Sequence, residues 1–247
     1  GEGSTLSDAE HREAIKCAIE HTAKRVPVIA GTGSNDTAYA ISLSKEAEQL
    51  GADGLLLVTP YYNKTSQRGL IEHYKRIAAS VSLPIILYSV QSRTGVNIAP
   101  ETCYELSKIE NIVAVKEASG NISQVAKIRE LCGDELDVYS GNDDQIVPIM
   151  SLGGIGVISV LSNIMPKETH DICQLYLDGK VKESADLQLK LLDVANKLFL
   201  DVNPIPVKEA MNLMGMEVGE CRLPLIRMDD ASVAVLKEAL QNVGLVK

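Results

Sequence analysis

Short apolar runs alternate along the chain with longer amphipathic segments at a steady interval. The apolar runs are rich in Val, Ile, Leu and Ala and are bounded by Gly, Pro, Asn or Asp, a pattern that predicts β-strands. Because the runs are continuous rather than alternating with polar residues, they indicate strands that are covered on both faces. Six strands are predicted, at residues 26–30, 54–59, 84–90, 112–118, 137–140 and 156–160.

Helical patterns separate these strands. Strand, helix and strand in repeated order predict a parallel sheet, because parallel neighbours need a crossover of about a dozen residues. The polar and glycine residues that follow the strands are then expected at one edge, as in a barrel or a doubly wound sheet. The predicted helices lie at residues 37–50, 66–80, 100–109, 123–131 and 143–152.

Beyond residue 160 the pattern is helical, without a further convincing strand. Helices are predicted at residues 167–178, 181–200, 206–214 and 231–242. We therefore expect two parts. Residues 1–160 form a β/α barrel that is incomplete at its amino end, and residues 161–247 form the last barrel helix and a carboxyl-terminal helical extension.

The first residues lead straight into a helix near Ser7, whose hydroxyl is placed to cap it together with Glu10. In a chain that alternates strands and helices, a loop before a helix is expected to follow a strand. A closed barrel of this class has about eight strands. If the sheet closes, the expected fold class is an α/β (β/α)8 TIM barrel from which about the first two strands are missing, and a doubly wound sheet is the alternative.

A lysine follows the apolar part of the fourth predicted strand, where residues 112–115 run directly into Lys116. A charge at the carboxyl end of a buried strand projects into whatever the sheet encloses. Because a buried ammonium is costly, such a site favours a nucleophilic free amine and covalent chemistry. Taken alone, however, the strand favours a simpler interpretation, in which the lysine reaches water or pairs with a carboxylate.

Composition narrows the class of function. The chain has 247 residues, of which 45% are hydrophobic, so it can bury a large core. A net charge of -9, no basic stripe, a single Phe and no Trp argue against nucleic acid as a partner. No apolar stretch is long enough to span a membrane and no signal peptide opens the sequence, so we expect a cytoplasmic protein without a membrane partner.

Neither the cysteines nor the histidines show metal-ligand spacing. The five cysteines are widely spread without a C-x-x-C pair, as expected of buried thiols in a reducing compartment. The four histidines lack the H-E-x-x-H pattern. We therefore predict that the chemistry needs no metal.

Five sequence blocks follow one another in an order and spacing that resemble the dihydrodipicolinate synthase family. The blocks are IAGTGSND from Ile29, VTPYYNKTSQRGL from Val58, YSVQSRTG from Tyr88, VAVKEASGN around Lys116 and NPIPVKEA from Asn203. This family belongs to the pyruvate-dependent class I aldolases, which are built on a TIM barrel. The resemblance implies Schiff-base condensation of pyruvate with aspartate semialdehyde to give 4-hydroxy-tetrahydrodipicolinate, in lysine and diaminopimelate biosynthesis. It implies no cofactor, since pyruvate is bound covalently as a substrate.

The resemblance also implies roles for individual residues. Lys116 matches the lysine whose amine attacks the ketone of pyruvate, so that the methyl carbon can lose a proton as an enamine. Tyr88 resembles the family's proton-relay tyrosine, and the alternative is a core residue with its hydroxyl at the rim. Arg93 resembles the guanidinium that binds the semialdehyde carboxylate, a task suited to a planar bidentate group, and the alternative is a surface arginine in a turn.

Further residues match the family less directly. Tyr62 resembles a tyrosine that crosses a dimer interface into the neighbouring active site, which implies a homo-oligomer, either a dimer or a tetramer. The alternative is an exposed loop aromatic, a description that also fits Tyr61. Gly141 and Ile158 match positions whose backbone lies close to bound pyruvate, although packing explains Ile158 better.

The family also carries a lysine feedback site at its dimer interface, and His11, Asn35 and Tyr61 match some of its positions. Asp8 stands where a histidine is common, and Tyr39 stands where an acidic residue would hold the lysine ammonium. Because that carboxylate is missing, we predict weak or absent inhibition by lysine.

Two departures from the family pattern bear on activity. Ser89 and Gln91 replace an Asn and a Pro, which alters the rigidity of the loop beside Tyr88. Only Gly1 and Glu2 match the family motif G-T-T-G-E, so a chain that began at Gly1 would lack two threonines, one of which completes the proton relay. Two alternatives therefore stay open. One is another pyruvate-dependent aldolase that cleaves a sugar acid, and the other is a truncated, inactive relative.

Overall fold

The predicted strands form one sheet in the computed structural model, which describes residues 1–247. Neighbouring strands in the sheet are also neighbours in sequence, in the order β1-β2-β3-β4-β5-β6, and the pairs from β1 to β5 are parallel. The parallel α/β architecture expected from the apolar runs is confirmed. The strands are β1 (Ile29–Gly31), β2 (Gly54–Val58), β3 (Ile85–Ser89), β4 (Ile112–Glu117), β5 (Asp137–Ser140) and β6 (Gly156–Val157).

Helices lie where the amphipathic patterns predict them, with ends that differ by a few residues, and one further short helix, Gln91–Thr94, is not predicted by them. The capping of the first helix is also confirmed, because Ser7 Oγ accepts from the N–H of Glu10 and the Glu10 carboxylate accepts from the N–H of Ser7. The helices are α1 (Asp8–Thr22), α2 (Thr37–Leu50), α3 (Gln67–Ala78), α4 (Gln91–Thr94), α5 (Pro100–Ser107), α6 (Ile122–Cys132), α7 (Ile146–Ser151), α8 (Pro166–Leu177), α9 (Val181–Lys197), α10 (Ile205–Leu213) and α11 (Asp230–Asn242).

The first predicted strand is shorter than expected because its early residues make other bonds. Pro27 has no N–H to donate to a neighbouring strand. The N–H of Val28 donates to the Asp53 carboxylate at 2.8 Å instead of to a strand. Residues 26–28 therefore precede β1 rather than extend it.

The last predicted strand also ends early, at Val157. The N–H groups of Val160 and Leu161 donate to the carboxylate of Asp143 at 3.1 and 2.9 Å. Because these N–H groups are used in the connection to α8, residues 158–160 do not continue the sheet.

The chain divides into two compact units. One consists of Ser7–Gly141 and Ser151–Gly156, and it contains strands β1 to β5 whole. The other consists of Gly1–Leu6, Asn142–Met150 and Val157–Lys247, and it contains helices α8 to α11. The division expected at residue 160 stays a prediction.

The core of the strand-containing unit explains the continuous apolar runs. Leu55 and Leu57 are buried on one face of β2. On β3, the buried side chains of Ile85 and Leu87 point to one face, and the buried side chain of Ile86 points to the other. Each such side chain contributes about 1.5–3 kcal/mol when it is removed from water. The sheet is therefore covered on both faces, as the pattern predicts.

The helical unit has its own apolar core. Ile172 on α8, Leu191 and Val194 on α9, and Leu236 and Leu240 on α11 are at most 2% exposed and belong to one cluster. None of the helices in the chain is both long enough and apolar enough to cross a membrane.

Candidate active site

The carboxyl ends of β3, β4 and β5 bring three polar side chains into one row. The strand register pairs Tyr88 with Lys116 and Lys116 with Tyr139. Directly paired residues of neighbouring strands point to the same face. The structure thus places the two sequence-predicted residues Lys116 and Tyr88 side by side and adds Tyr139, which sequence reasoning missed. The alternation within β5 is the signal that could have indicated Tyr139.

An irregularity between β3 and β4 decides which residue faces Tyr88. Ile85 pairs with Ile112, but the next residue, Ile86, pairs with Ala114, so Val113 is an extra residue on β4. Without that extra residue, the register from Ile85 would set Tyr88 opposite Val115. Bulges of this kind re-aim side chains next to active sites.

Lys116 is half-buried, and its amine contacts the face of the Tyr88 ring at 4.2 Å from the ring centroid. A cation at this distance is attracted by the ring quadrupole. The contact sets the position of the amine relative to the phenol. An amine held in a partly enclosed site beside a hydroxyl can act as a nucleophile with a proton donor next to it.

Tyr88 is held as a neutral phenol. Burial raises the pKa of its hydroxyl, and the nearby positive charge of Arg93 opposes that rise. Because the ordinary pKa of tyrosine is about 10, the group keeps its proton at neutral pH. Tyr88 can therefore donate a proton or a hydrogen bond to a reacting oxygen.

Arg93 lies on α4, a short helix in a segment where the sequence indicates a loop. The backbone here is fixed by Thr94, whose Oγ1 donates to the Val96 carbonyl at 3.0 Å and accepts from Thr59 Oγ1 at 2.9 Å. The guanidinium itself is exposed to solvent. This arrangement presents five N–H donors on a rigid base, as recognition of a carboxylate requires.

Gly141 follows β5 and approaches β4 closely. Its N–H donates to the Glu117 carbonyl at 2.7 Å, and a Cβ at this position would lie 2.5 Å from the Cβ of Ala118. Close packing of two backbones is thus a sufficient reason for glycine here. Ile158 follows β6, is half-buried and belongs to the helical unit.

Tyr62 points into solvent from a strained loop. Its φ is +67°, in the left-handed region, and its side chain is 91% exposed. The loop is pinned by Asn35, whose Nδ2 donates to the Tyr61 carbonyl at 3.1 Å, and by Asn63, whose Nδ2 donates to the Asn35 carbonyl at 2.9 Å. An ordered backbone therefore projects a ring that does not pack on its own chain.

The residues that match the feedback site make contacts within the chain. His11 Nε2 lies 3.1 Å from the Gly31 carbonyl oxygen. Tyr39 donates its hydroxyl to Asp8 at 2.9 Å, and Arg12 donates to the same carboxylate at 2.8 Å. These two hydrogen bonds lower the pKa of Asp8. Tyr39 therefore acts as a donor where the family pattern expects an acceptor.

Comparison with known proteins gives one consistent match. The sequence profile of the Dihydrodipicolinate synthetase family matches residues 1–243. A 4-hydroxy-tetrahydrodipicolinate synthase from Caldicellulosiruptor saccharolyticus is 62% identical over 245 residues, which are 99% of this chain and 83% of the relative. The crystal structure of dihydrodipicolinate synthase from Thermotoga maritima superposes with a TM-score of 0.97 at 40% identity, over 100% of this chain and 85% of that chain. The chloride-inhibited dihydrodipicolinate synthase from Acinetobacter baumannii, complexed with pyruvate, superposes with a TM-score of 0.97 at 43% identity. The match covers 100% of this chain and 84% of that chain.

Proposed function

Because this chain belongs to the dihydrodipicolinate synthetase family, we propose that Lys116 is the amine with which it carries out the family's reaction. That reaction is the condensation of pyruvate with aspartate semialdehyde, and enzymes that perform it are lyases of the class I aldolase type. The observation that carries the proposal is the contact between the Lys116 amine and the Tyr88 ring at the carboxyl edge of the sheet. This is the edge where parallel β/α folds hold their active sites.

Lys116 attacks the ketone carbon of pyruvate. The carbonyl oxygen leaves as water, and the resulting iminium makes the methyl protons acidic. Loss of one proton gives an enamine, whose carbon forms a bond to the aldehyde carbon of the semialdehyde. Ring closure by the amine of the semialdehyde releases the Lys116 amine.

Tyr88 moves protons in these steps. Its phenol keeps its proton at neutral pH and lies beside the reacting amine. It can therefore protonate the departing oxygen and accept a proton in a later step. Tyr139 lies on the other side of Lys116 in the strand register, so its side chain points to the same face of the sheet.

Arg93 binds the carboxylate of the semialdehyde. The aldehyde that a sugar-acid aldolase joins to pyruvate is a sugar without this carboxylate, so the contact favours the synthase. The exposed guanidinium on its fixed backbone supports that role. Gly141 contributes backbone next to pyruvate, whereas packing within the helical unit explains Ile158 better. The A. baumannii relative, which binds pyruvate, supports pyruvate as the ligand of this chain as well.

Tyr62 enters the active site of a second copy of the chain. Its exposed ring on a pinned, left-handed backbone supports that assignment, because such strain persists where the surroundings determine it. The functional unit is then a homo-oligomer, a dimer or a tetramer.

The parallel sheet is part of a (β/α)8 barrel, which the superpositions on family structures support. The five cysteines are free thiols, which supports a cytoplasmic location. We propose that the reaction uses no metal and no cofactor, because the amine supplies the activation that a metal or pyridoxal group gives elsewhere.

Reductive trapping tests the proposal. The protein is incubated with pyruvate and borohydride, digested, and mapped by mass spectrometry. We expect the adduct on the peptide that contains Lys116, no adduct in Lys116→Arg, and an unchanged adduct in the control Lys127→Arg, which replaces an exposed lysine on α6. An adduct on another lysine would overturn the assignment. Comparing the turnover of aspartate semialdehyde with that of a sugar acid distinguishes the synthase from a pyruvate-dependent aldolase that cleaves sugar acids.

A further inference from the structure

A hydrogen-bonded cluster lies behind Lys116 and Tyr88, on the other face of the same two strands. Glu117 follows Lys116 on β4, Ser89 follows Tyr88 on β3, and the register pairs Glu117 with Ser89. Because successive side chains of a strand point to opposite faces, Glu117 and Ser89 point away from the reactive pair. Both are buried, at 0% and 1% exposure.

Two amide side chains join Glu117 to Ser89. Gln124 on α6 donates from Nε2 to Glu117 Oε1 at 2.8 Å and to Asn97 Oδ1 at 3.1 Å. Asn97 donates back to Gln124 Oε1 at 2.7 Å, and Ser89 Oγ donates to Asn97 Oδ1 at 3.1 Å. Ser89 Oγ also accepts from the N–H of Ile98 at 3.1 Å. We name Glu117, Gln124, Asn97 and Ser89 the rear network.

Glu117 is the acceptor at the end of this network. Besides Gln124, the N–H of Ser119 donates to its two carboxylate oxygens at 3.2 and 3.3 Å. An ionised carboxylate accepts hydrogen bonds and donates none, which fits these contacts of Glu117. Burial raises the pKa of Glu117, and the hydrogen bonds from Ser119 and Gln124 oppose that rise.

We propose that Glu117 is a positioning residue, which through the rear network keeps Lys116 opposite Tyr88. The inference rests on the proposed function of Lys116. Glu117 does not face the amine, so it acts through the backbone of β4 and not by contact with a substrate.

The register of β3 and β4 explains why such a residue is needed. The extra residue Val113 is what sets Lys116, rather than Val115, opposite Tyr88. The bulge leaves Val113 out of the ladder, so backbone hydrogen bonds alone do not favour the bulged register. A network of side chains with fixed reach does select one, because Glu117 and Ser89 meet the two amides only when they are paired.

The test uses Glu117→Gln, which keeps the shape of the side chain. In either orientation of the introduced amide, its nitrogen replaces an oxygen that accepts from the N–H of Ser119, and an amide nitrogen cannot accept. In one of the two orientations that nitrogen also faces the Nε2 donor of Gln124. The matched control is Glu130→Gln on the same helix as Gln124, because Glu130 is exposed and pairs with Lys127. The rescue variant is Glu117→Gln with Gln124→Glu, which exchanges the two groups and restores one carboxylate facing one amide.

The readouts are the rate of borohydride trapping with pyruvate, kcat, KM and the thermal midpoint. For Glu117→Gln in its folded state we expect trapping and kcat to fall by roughly 10- to 100-fold, since a small displacement of a reacting group has this effect. KM for the semialdehyde stays within about threefold, because Arg93 is untouched. The exchange variant recovers most of the loss, and Glu130→Gln equals the parent.

A purely structural role gives a different result. If Glu117→Gln lowers the thermal midpoint while the folded enzyme traps pyruvate at the parent rate, the positioning role is wrong. It is equally wrong if the exchange variant is as slow as the single variant. If the parent itself traps at a lysine other than Lys116, the proposed function fails instead, which separates the two failures.

Should Glu117→Gln not fold, Ser89→Ala decides. This variant removes only the hydroxyl at the far end of the rear network. Slower trapping at an unchanged thermal midpoint supports the proposal, and the parent rate overturns it.

Discussion

The amine of Lys116 lies 4.2 Å from the centroid of the Tyr88 ring, although the two residues belong to different strands. The pairing depends on the single extra residue Val113 in β4, because the register that begins at Ile85 would otherwise present Val115. The candidate site therefore depends on one local irregularity of the sheet. Variants that separate the chemistry of these two residues from the stability of the strands test this relationship.

Replacing Tyr88 by phenylalanine removes the hydroxyl and keeps the ring under the Lys116 amine. General acid–base catalysis contributes about 10²–10⁴ in rate, so we expect kcat to fall by about 100-fold or more. The thermal midpoint should change little, because the packing of the ring is preserved. Steady-state kinetics measure the effect, and Tyr104→Phe, on an exposed ring, serves as the control. If the kcat of Tyr88→Phe stayed within about tenfold of the parent value, the relay role would be excluded.

Mixing two inactive variants tests whether Tyr62 crosses between copies. Lys116→Ala retains Tyr62, and Tyr62→Ala retains Lys116, so a mixed dimer contains one complete site. Random reassortment of the subunits should restore about a quarter of the parent activity. Activity is measured after the two proteins are mixed and exchanged. Mixtures that stay inactive, or a fully active Tyr62→Ala, would contradict the crossing.

Replacing Gly141 by alanine places a Cβ 2.5 Å from the Cβ of Ala118. Overpacking of this kind costs about 1–3 kcal/mol in the free energy of unfolding, because β4 and β5 must separate. Urea unfolding measures the change. Gly31→Ala is the matched control, since no atom lies within 4 Å of the position that a Cβ would take there and the φ of Gly31 is not positive. Equal stability of the two variants would argue against the close approach.

His73 is expected to make stability depend on pH. It is buried, its Nδ1 lies 2.8 Å from Thr37 Oγ1, its Nε2 has no hydrogen-bond partner, and burial lowers its pKa below 6.5. The folded state therefore resists protonation while the unfolded state accepts it below about pH 6.5. Stability is retained above that pH and falls below it, by up to about 1.4 kcal/mol per pH unit until the folded pKa is reached.

Urea unfolding between pH 5 and pH 8 (about the range in which histidine titrates) measures this loss. His73→Gln can still bond Thr37 and does not titrate, so its stability should fall less than that of the parent on acidification. His170→Gln, at an exposed histidine, should follow the parent. Parallel curves for the parent and His73→Gln would show that His73 is not responsible.

Lysine should inhibit this enzyme weakly or not at all. Tyr39 donates to Asp8, and Arg12 donates to the same carboxylate, so that acidic group is already engaged. Restoring the residues common in the family with Asp8→His and Tyr39→Glu supplies a free carboxylate for the lysine ammonium. Calorimetric titration with lysine should detect binding to that double variant and not to the parent. Inhibition of the parent at low lysine concentration would refute the expectation.

Most of the fold follows from local pattern. The apolar runs predict all six strands, and the capping pair Ser7 and Glu10 predicts the start of α1. The errors have specific causes. Pro27 cannot donate to a sheet, and the Asp143 carboxylate takes the N–H groups that would have extended β6.

The sequence by itself determined the parallel α/β order, the place of Lys116 and Tyr88 at strand ends, and the family. These features depend on residue type and spacing along the chain. Only the tertiary structure decided that Lys116 faces Tyr88, that Tyr139 joins the row, and that Glu117 and Ser89 meet behind it. These features depend on the register between strands, and a register is fixed by a bulge and by contacts between residues that are distant in sequence.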